Sequence, residues 1–228
     1  MDDDASIRNL VHRFLNQKYQ VDSAADGETA LALFEKFKPV LVILDWNLPA
    51  ITGYHLCQEM QRRTNVLVIM LSSRTDEADK VKVLSAGADD YISKPFGLAE
   101  LAIPIEVVLK RMRAVTRSRI VFNWFAIDSA RREATLNDRI IKLIALEFNI
   151  LYFLASHSGQ SWSRQQLSEK IWGWNCDDTG EEQIIRIHIG QMRKKMIQVD
   201  ATGSQFIKTI RGYGYRFDPP SRTAMAIS

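Results

Sequence analysis

Cysteine is nearly missing from this chain. Cys57 and Cys176 are the only two among 228 residues, far apart and outside any ligand-like cluster. That excludes a disulfide framework or a cysteine zinc site and reads as two reduced thiols of a cytosolic protein. No apolar run approaches the ~20 residues of a helical membrane span. Met1 followed by three aspartates does not open a secretory signal. Internal repeats and low-complexity segments are also lacking. What remains is 46% hydrophobic and 25% charged, which suits a soluble globular chain of one large or two ordinary domains.

The net charge of +3 conceals an asymmetry. Residues 1–115 hold 14 Lys/Arg against 16 Asp/Glu, whereas residues 116–228 hold 16 against 11. A basic second half suggests an anionic partner there, nucleic acid first.

The first half alternates helix and strand patterns. Helices are expected over Arg8–Gln17, Asp26–Phe37, Gly53–Arg62, Asp76–Ala86 and Leu98–Arg113. Strands are expected over Tyr19–Ser23, Val40–Leu44, Val66–Leu71 and Tyr91–Ser93. Such alternation implies right-handed βαβ units and a parallel sheet covered on both faces. After Arg113 the pattern stops, and the short basic run 114–119 reads as a linker. Four short strands follow within Ile120–Leu143, with Asn137-Asp138 as turn residues. Next come a helix over Ala145–His157 and a capping box, Ser163–Gln166, opening a helix to Trp172. A third helix covers Glu182–Met196, and a hairpin turns around Arg211–Gly214. Residues 219–228 read as a disordered tail.

Asp45 closes the apolar run Leu41–Leu44, where open α/β sheets bind and react with ligands. Phosphoryl transfer needs an attacking oxygen, a cation and donors for the equatorial oxygens. Asp45 offers the oxygen. Asp2 and Asp3 add carboxylates able to hold Mg²⁺. Lys94 supplies a point charge, and Ser72, directly after the run Val66–Leu71, supplies a hydroxyl. A haloacid-dehalogenase-type phosphatase also uses a strand-end aspartate, but it needs a second one two residues on, where Asn47 stands. The order of these residues, with Gly87-Ala88-Asp89-Asp90-Tyr91-Ile92-Ser93-Lys94-Pro95-Phe96, resembles the receiver domain of bacterial two-component response regulators. The resemblance implies a flavodoxin-like fold in strand order 2-1-3-4-5 over residues 1–113. It also implies phosphorylation of Asp45 by a histidine kinase, the Asn47 backbone carbonyl as a further Mg²⁺ ligand, and a cis Lys94–Pro95 bond. Ser72 would move toward the phosphoryl group and Tyr91 would rotate inward, switching the surface of the fourth helix, fifth strand and fifth helix.

Residues 120–218 resemble the OmpR/PhoB-type winged-helix domain. The resemblance rests on Ala145–Phe148, Ser163–Leu167, Ile187–Ile189 with Arg193–Lys195, and Thr209–Phe217. Ile185, Ile189, Met192 and Met196 recur as a core face, flanked by His188, which reads as a packed histidine. Gln183, Ile184, Arg186, Ile187, Gly190, Gln191 and Lys194 form the remaining surface, suited to a major groove. Arg193, Lys194 and Lys195 read as phosphate contacts. Gly212 and Gly214 permit a tight wing turn, Arg211 at its tip suits a narrow A·T minor groove, and Tyr215 follows on the DNA side. Partners implied are double-stranded DNA in direct repeats, RNA polymerase and a second copy on phosphorylation. No catalytic constellation follows residue 120, so no enzymatic output is expected.

The chain departs from the family pattern. Gln183 and Gln191 replace common arginines, and Arg186 replaces a common aspartate. Pro104 is expected to interrupt the fifth helix and leave Asp90 without its usual dimer partner, weakening the dimer. Ile144 replaces a capping threonine. A first strand of about five apolar residues, normally preceding the acidic cluster, is missing, which removes ~8–15 kcal/mol of burial. Either the natural chain starts upstream of Met1 or the receiver is degraded and serves only as a dimerisation module for a phosphorylation-independent regulator.

Overall fold

The computed structural model describes residues 1–73, 76–114, 119–172 and 179–219, and it divides into two compact units, Met1–Arg113 and Ala114–Ser228. Linker positions 115–118, Cys176 and tail positions 220–228 lie outside the described residues.

In the first unit each early helix begins at a side-chain cap. Asp4 accepts from the Ser6 and Ile7 N–H groups to open α1 (Ala5–Leu15), and Asp26 accepts from Thr29 N–H to open α2 (Gly27–Phe37). These bonds satisfy amides that have no partner inside the helix. The strands β1 (Leu41–Asp45), β2 (Leu67–Ser72) and β3 (Asp90–Ser93) form a parallel sheet in the order β1-β2-β3. Helices α3 (Gly53–Arg63), α4 (Glu77–Ser85) and α5 (Leu98–Ala114) complete the alternation. Every residue of β2 is buried, as the middle strand of a two-faced parallel sheet requires. Full burial of side chains such as Leu44, Met60, Ile69 and Leu101 stabilises the unit by ~1.5–3 kcal/mol each. Cys57 is among them, and burial pushes its thiol up to about 12, so it is an inert core residue.

Three expectations for this unit are corrected. Tyr19–Ser23 is not a strand. Strands exist through a hydrogen-bonded neighbour, and a cleft of about 630 Å³ separates this run from the edge of β1. Pro104 does not interrupt α5, which runs through it. The proline removes one amide donor, but Leu101, Ile105 and Val108 are buried on either side and hold the helix in place. Asp90 is not a surface group awaiting a partner, because it is 2% exposed and its Oδ1 accepts from Tyr91 N–H.

The second unit opens with an antiparallel sheet of β4 (Arg119–Phe122), β5 (Phe125–Asp128), β6 (Glu133–Leu136) and β7 (Arg139–Ile141) in sequence order. Asn137 and Asp138 take positive φ values of 50° and 60° in the β6–β7 turn, a conformation their short polar side chains tolerate. Helices α6 (Ala145–Ser156), α7 (Arg164–Trp172) and α8 (Thr179–Val199) follow. The capping box holds: Ser163 N–H donates to Gln166 Oε1, and Gln166 N–H donates to Ser163 Oγ. At α6 the cap is only half lost, since Ile144 offers no acceptor but Glu147 Oε2 accepts from Ile144 N–H. A strand the sequence reading did not separate from the capping box, β8 (Ser161–Ser163), pairs with the closing hairpin β9 (Ile207–Ile210) and β10 (Gly214–Phe217) in the order β8-β10-β9.

Candidate functional site

Asp45 ends β1 in register with Leu71, one residue before Ser72, so two parallel strands deliver both side chains to the same edge. Gly53 lets α3 begin against that end. A Cβ there would lie 2.0 Å from the Asp45 carbonyl oxygen, so only glycine admits the approach. Asp2, Asp3 and Asp45 each bring a carboxylate oxygen to a common point, all within 4.8 Å of one another. The acidic run is held on both flanks. Met1 N–H donates to Ile43 C=O, Asp45 N–H donates to Met1 C=O, and Asp2 N–H donates to Ala24 C=O. Arg8, which the sequence reading passed over, clamps the run by donating to the Asp2 carbonyl at 2.8 Å. Its position one turn into a helix that follows the acids is the signal that could have found it.

Lys94 Nζ lies 2.8 Å from Asp2 Oδ2 and 3.1 Å from Asp45 Oδ2, and the Lys94–Pro95 bond that follows is cis. Burial pushes the Asp45 carboxyl above its ordinary range, and Lys94 offsets part of that. For Lys94 burial disfavours the charge, but the hydrogen bonds to Asp2 and Asp45 outweigh it and raise the pKa. Asp45 Oδ1 is buried with no hydrogen-bond partner among the described residues. An orphaned carboxylate oxygen beside two more carboxylates fits a hard divalent cation such as Mg²⁺. Ser72 is fully buried. Asn47 is exposed, and its side-chain amide reaches Ser73 Oγ at 3.4 Å, which leaves its carbonyl free of that role. Tyr91 is half-buried, and its hydroxyl has no partner among the described residues. A second missed feature lies beside Asp45. The Lys82 ammonium sits 5.7 Å from the Trp46 ring centre and 5.2 Å from that of Tyr54, tying α4 to the loop after β1.

In the second unit the surface of α8 is narrower than expected. Gln183, Arg186 and Lys194 are exposed, and Ile187, Gly190 and Gln191 are half-exposed. Ile184 is fully buried and cannot reach a base edge. With His188 and Met192 it adds a second buried column at i, i+4 and i+8, so the core face of α8 is broader than the single stripe of Ile185, Ile189, Met192 and Met196. Three further assignments change. Lys195 Nζ lies 2.6 Å from Glu147 Oε2, a fully buried carboxylate, so its charge is committed inside the fold. Arg193 donates to the Ile207 carbonyl and to Thr209 Oγ1, pinning β9 to α8, and burial lowers its pKa. Tyr215 is buried, with the Arg193 guanidinium 5.9 Å from its ring centre. Arg211 is exposed in the turn between β9 and β10, where Gly212 takes φ +72°. Gly214 serves close approach rather than the turn, since a Cβ would lie 2.0 Å from the Trp162 carbonyl oxygen.

Comparison with known proteins gives a consistent picture. Residues 1–106 match the response regulator receiver domain, and residues 137–217 match the C-terminal domain of transcriptional regulatory proteins. The chain is 37% identical over 225 residues to the probable transcriptional regulator ycf27 of Guillardia theta, covering 95% of this chain and 88% of that one. It is 36% identical over 230 residues to the alkaline phosphatase synthesis transcriptional regulatory protein SphR of Synechococcus elongatus, with the same shares covered. A solved structure of a RitR variant is 24% identical and superposes with a TM-score of 0.71, covering 93% of this chain and 96% of that one, a likeness of fold. Among the described residues no helix is long and apolar enough to cross a membrane.

Proposed function

Since this chain belongs to the OmpR/PhoB-type response regulators, in which a receiver domain is joined to a DNA-binding domain in a two-component transcription regulator, we propose that Asp45 takes up a phosphoryl group from a partner histidine kinase and so controls DNA binding. The observation that carries the reading is the buried, unpartnered Oδ1 of Asp45 beside Lys94, Asp2 and Asp3. The Asp45 carboxylate attacks phosphorus, an O–P bond forms, and the P–N bond to the kinase histidine breaks with its electron pair leaving on the imidazole. Lys94 and Ser72 stabilise the phosphoryl oxygens. Asp2, Asp3 and Asp45, with the Asn47 carbonyl, would hold Mg²⁺, which neutralises the charge gathering on the phosphoryl group. A phosphorylated Asp45 carries about −1.5 to −2 charge, enough to redirect Lys94 from Asp2 and bias the position of Tyr91.

The output is DNA binding in the cytoplasm rather than catalysis. Gln183, Arg186, Ile187, Gly190 and Gln191 face a major groove, where glutamine pairs with adenine. Lys194 contacts phosphate and Arg211 a minor groove. A phosphorylated dimer would bind direct repeats and contact RNA polymerase. Incubation with acetyl phosphate and Mg²⁺ should give a hydroxylamine-sensitive label on Asp45 and tighten binding in a DNA shift assay. Identical shifts with and without acetyl phosphate would instead select a phosphorylation-independent regulator with the receiver as a dimerisation module.

A further inference from the structure

The turn that carries Arg211 is held from the side. Between β9 and β10, Tyr213 N–H donates to Ile210 C=O at 3.0 Å and Gly212 takes φ +72°. Residues 210–213 therefore form a turn of the type that needs glycine in third place. Arg211 is second in it and Tyr213 fourth. Two ties hold the base of the hairpin. Gly214 pairs with Ser163 of β8, and Arg193 of α8 donates to the Ile207 carbonyl and to Thr209 Oγ1. Both act outside residues 211–213. Tyr213 supplies a tie within them, because its Oη donates to Gln166 Oε1 at 3.2 Å, 47 residues back in sequence. Gln166 lies in the first turn of α7, held there by the capping box, and its Oε1 also accepts from Ser163 N–H at 2.9 Å. Two lone pairs let that oxygen take both donors. Tyr213 is 43% exposed, so burial does not dictate where its ring lies.

We propose that Tyr213 is a positioning residue for DNA binding, whose hydroxyl fastens the wing turn to the start of α7 and so fixes Arg211 relative to the groove-facing side of α8. The inference rests on the reading of Arg211 as a minor-groove contact. A loose turn has to be ordered as DNA binds, and the entropy lost opposes the contact. With the bond in place the turn is ordered beforehand. The gain is felt where Arg211 meets a narrow A·T groove, because in a wider groove the arginine contact is weaker. Tyr213 thus governs sequence preference beside the major-groove site without touching a base. A hydroxyl bonded to phosphate would behave differently and strengthen all sequences alike.

The test uses the full chain and a duplex that it selects from a random-sequence pool, rebuilt with A·T or with G·C pairs flanking the selected core. Tyr213→Phe keeps the ring and loses only the hydroxyl. It should weaken the A·T-flanked duplex by about fivefold, the scale of one hydrogen bond, and the G·C-flanked duplex by less than about twofold. In the free protein the heteronuclear NOE of the Arg211 and Gly212 amides should fall. Added to Arg211→Ala, Tyr213→Phe should weaken binding no further. Gln166→Glu keeps an acceptor for both donors and should keep the A·T preference, while its charge lowers affinity for both duplexes. Equal losses on the two duplexes, additive with Arg211→Ala, would overturn the proposal and make Tyr213 a phosphate contact. Unchanged NOE values in Tyr213→Phe would overturn it as well. If Arg211→Ala leaves the A·T preference intact, the minor-groove reading fails and the proposal with it. If Arg211→Ala removes that preference and Tyr213→Phe does not, only the positioning role fails.

Discussion

Lys94 and Asp2, 92 residues apart in sequence, form a 2.8 Å ion pair, and the same ammonium lies 3.1 Å from Asp45. One side chain thus spans the acidic run and the strand-end carboxylate. Anything that draws Asp2 toward a cation, or places charge on Asp45, redistributes that ammonium. Removing it should separate two roles. Lys94→Gln is expected to tighten Mg²⁺ binding severalfold, because a competing cation is gone, while acetyl phosphate labelling falls by at least about tenfold for want of its charge-assisted hydrogen bond. Trp46 fluorescence would report the Mg²⁺ titration. Parallel loss of both activities would mean that Lys94 only holds the loop together.

Asp45→Asn should abolish labelling, whereas Asp128→Asn, on β5 of the other unit, should leave it intact. The variant also carries a stability signature. Burial raises the Asp45 carboxyl above its ordinary pKa, so the folded receiver holds that proton more tightly than the unfolded chain. This stabilising contribution is full below the ordinary carboxylate pKa and is lost as pH rises through the raised value. In the absence of divalent cations, Asp45→Asn should therefore raise the receiver melting temperature at pH 7, and the gain should shrink on acidification. A melting temperature lowered at pH 7 would contradict the assigned burial.

Adjacent lysines on α8 should behave differently. Lys194 is exposed, so Lys194→Ala should weaken all DNA sequences alike and reduce the salt slope by about one phosphate contact. Lys195→Ala strands the fully buried Glu147 carboxylate, whose pKa burial already raises, and should cost roughly 3 kcal/mol of stability. Its salt slope should match that of the unaltered protein. Urea melts and DNA titrations across salt concentrations separate the two effects.

Arg211→Ala should weaken sites flanked by A·T pairs more than those flanked by G·C pairs, since the wing contact is read through groove width. Equal losses on both kinds of site would leave Arg211 as an ordinary phosphate contact.

Pro104 lies buried inside α5. Pro104→Ala restores one amide donor without enlarging the side chain and should stabilise the receiver, by up to about 3 kcal/mol where α5 is unstrained. Pro104→Arg, by contrast, would bury a guanidinium and should destabilise it. A melting temperature unchanged by Pro104→Ala would show that the Glu100 carbonyl already finds another donor.

By itself the sequence determined what repeats locally. The apolar runs ending at Leu44 and Leu71, the caps at Asp26 and Ser163, and the turn at Asn137-Asp138 each carry their geometry within a few residues. The order of Asp45, Ser72 and Lys94 follows from where those strands end. Tertiary structure alone decided what depends on a neighbour. Tyr19–Ser23 has strand composition but no adjacent ladder, so it is not a strand. Ile184 and Tyr215 share a pattern with surface residues and are buried because α6, α7 and β8 close over them. Lys195 looks like its neighbour Lys194 until Glu147, 48 residues away, is placed against it. A helix period fixes which residues share a face, but only packing fixes how wide the buried face is and which charges are claimed from inside.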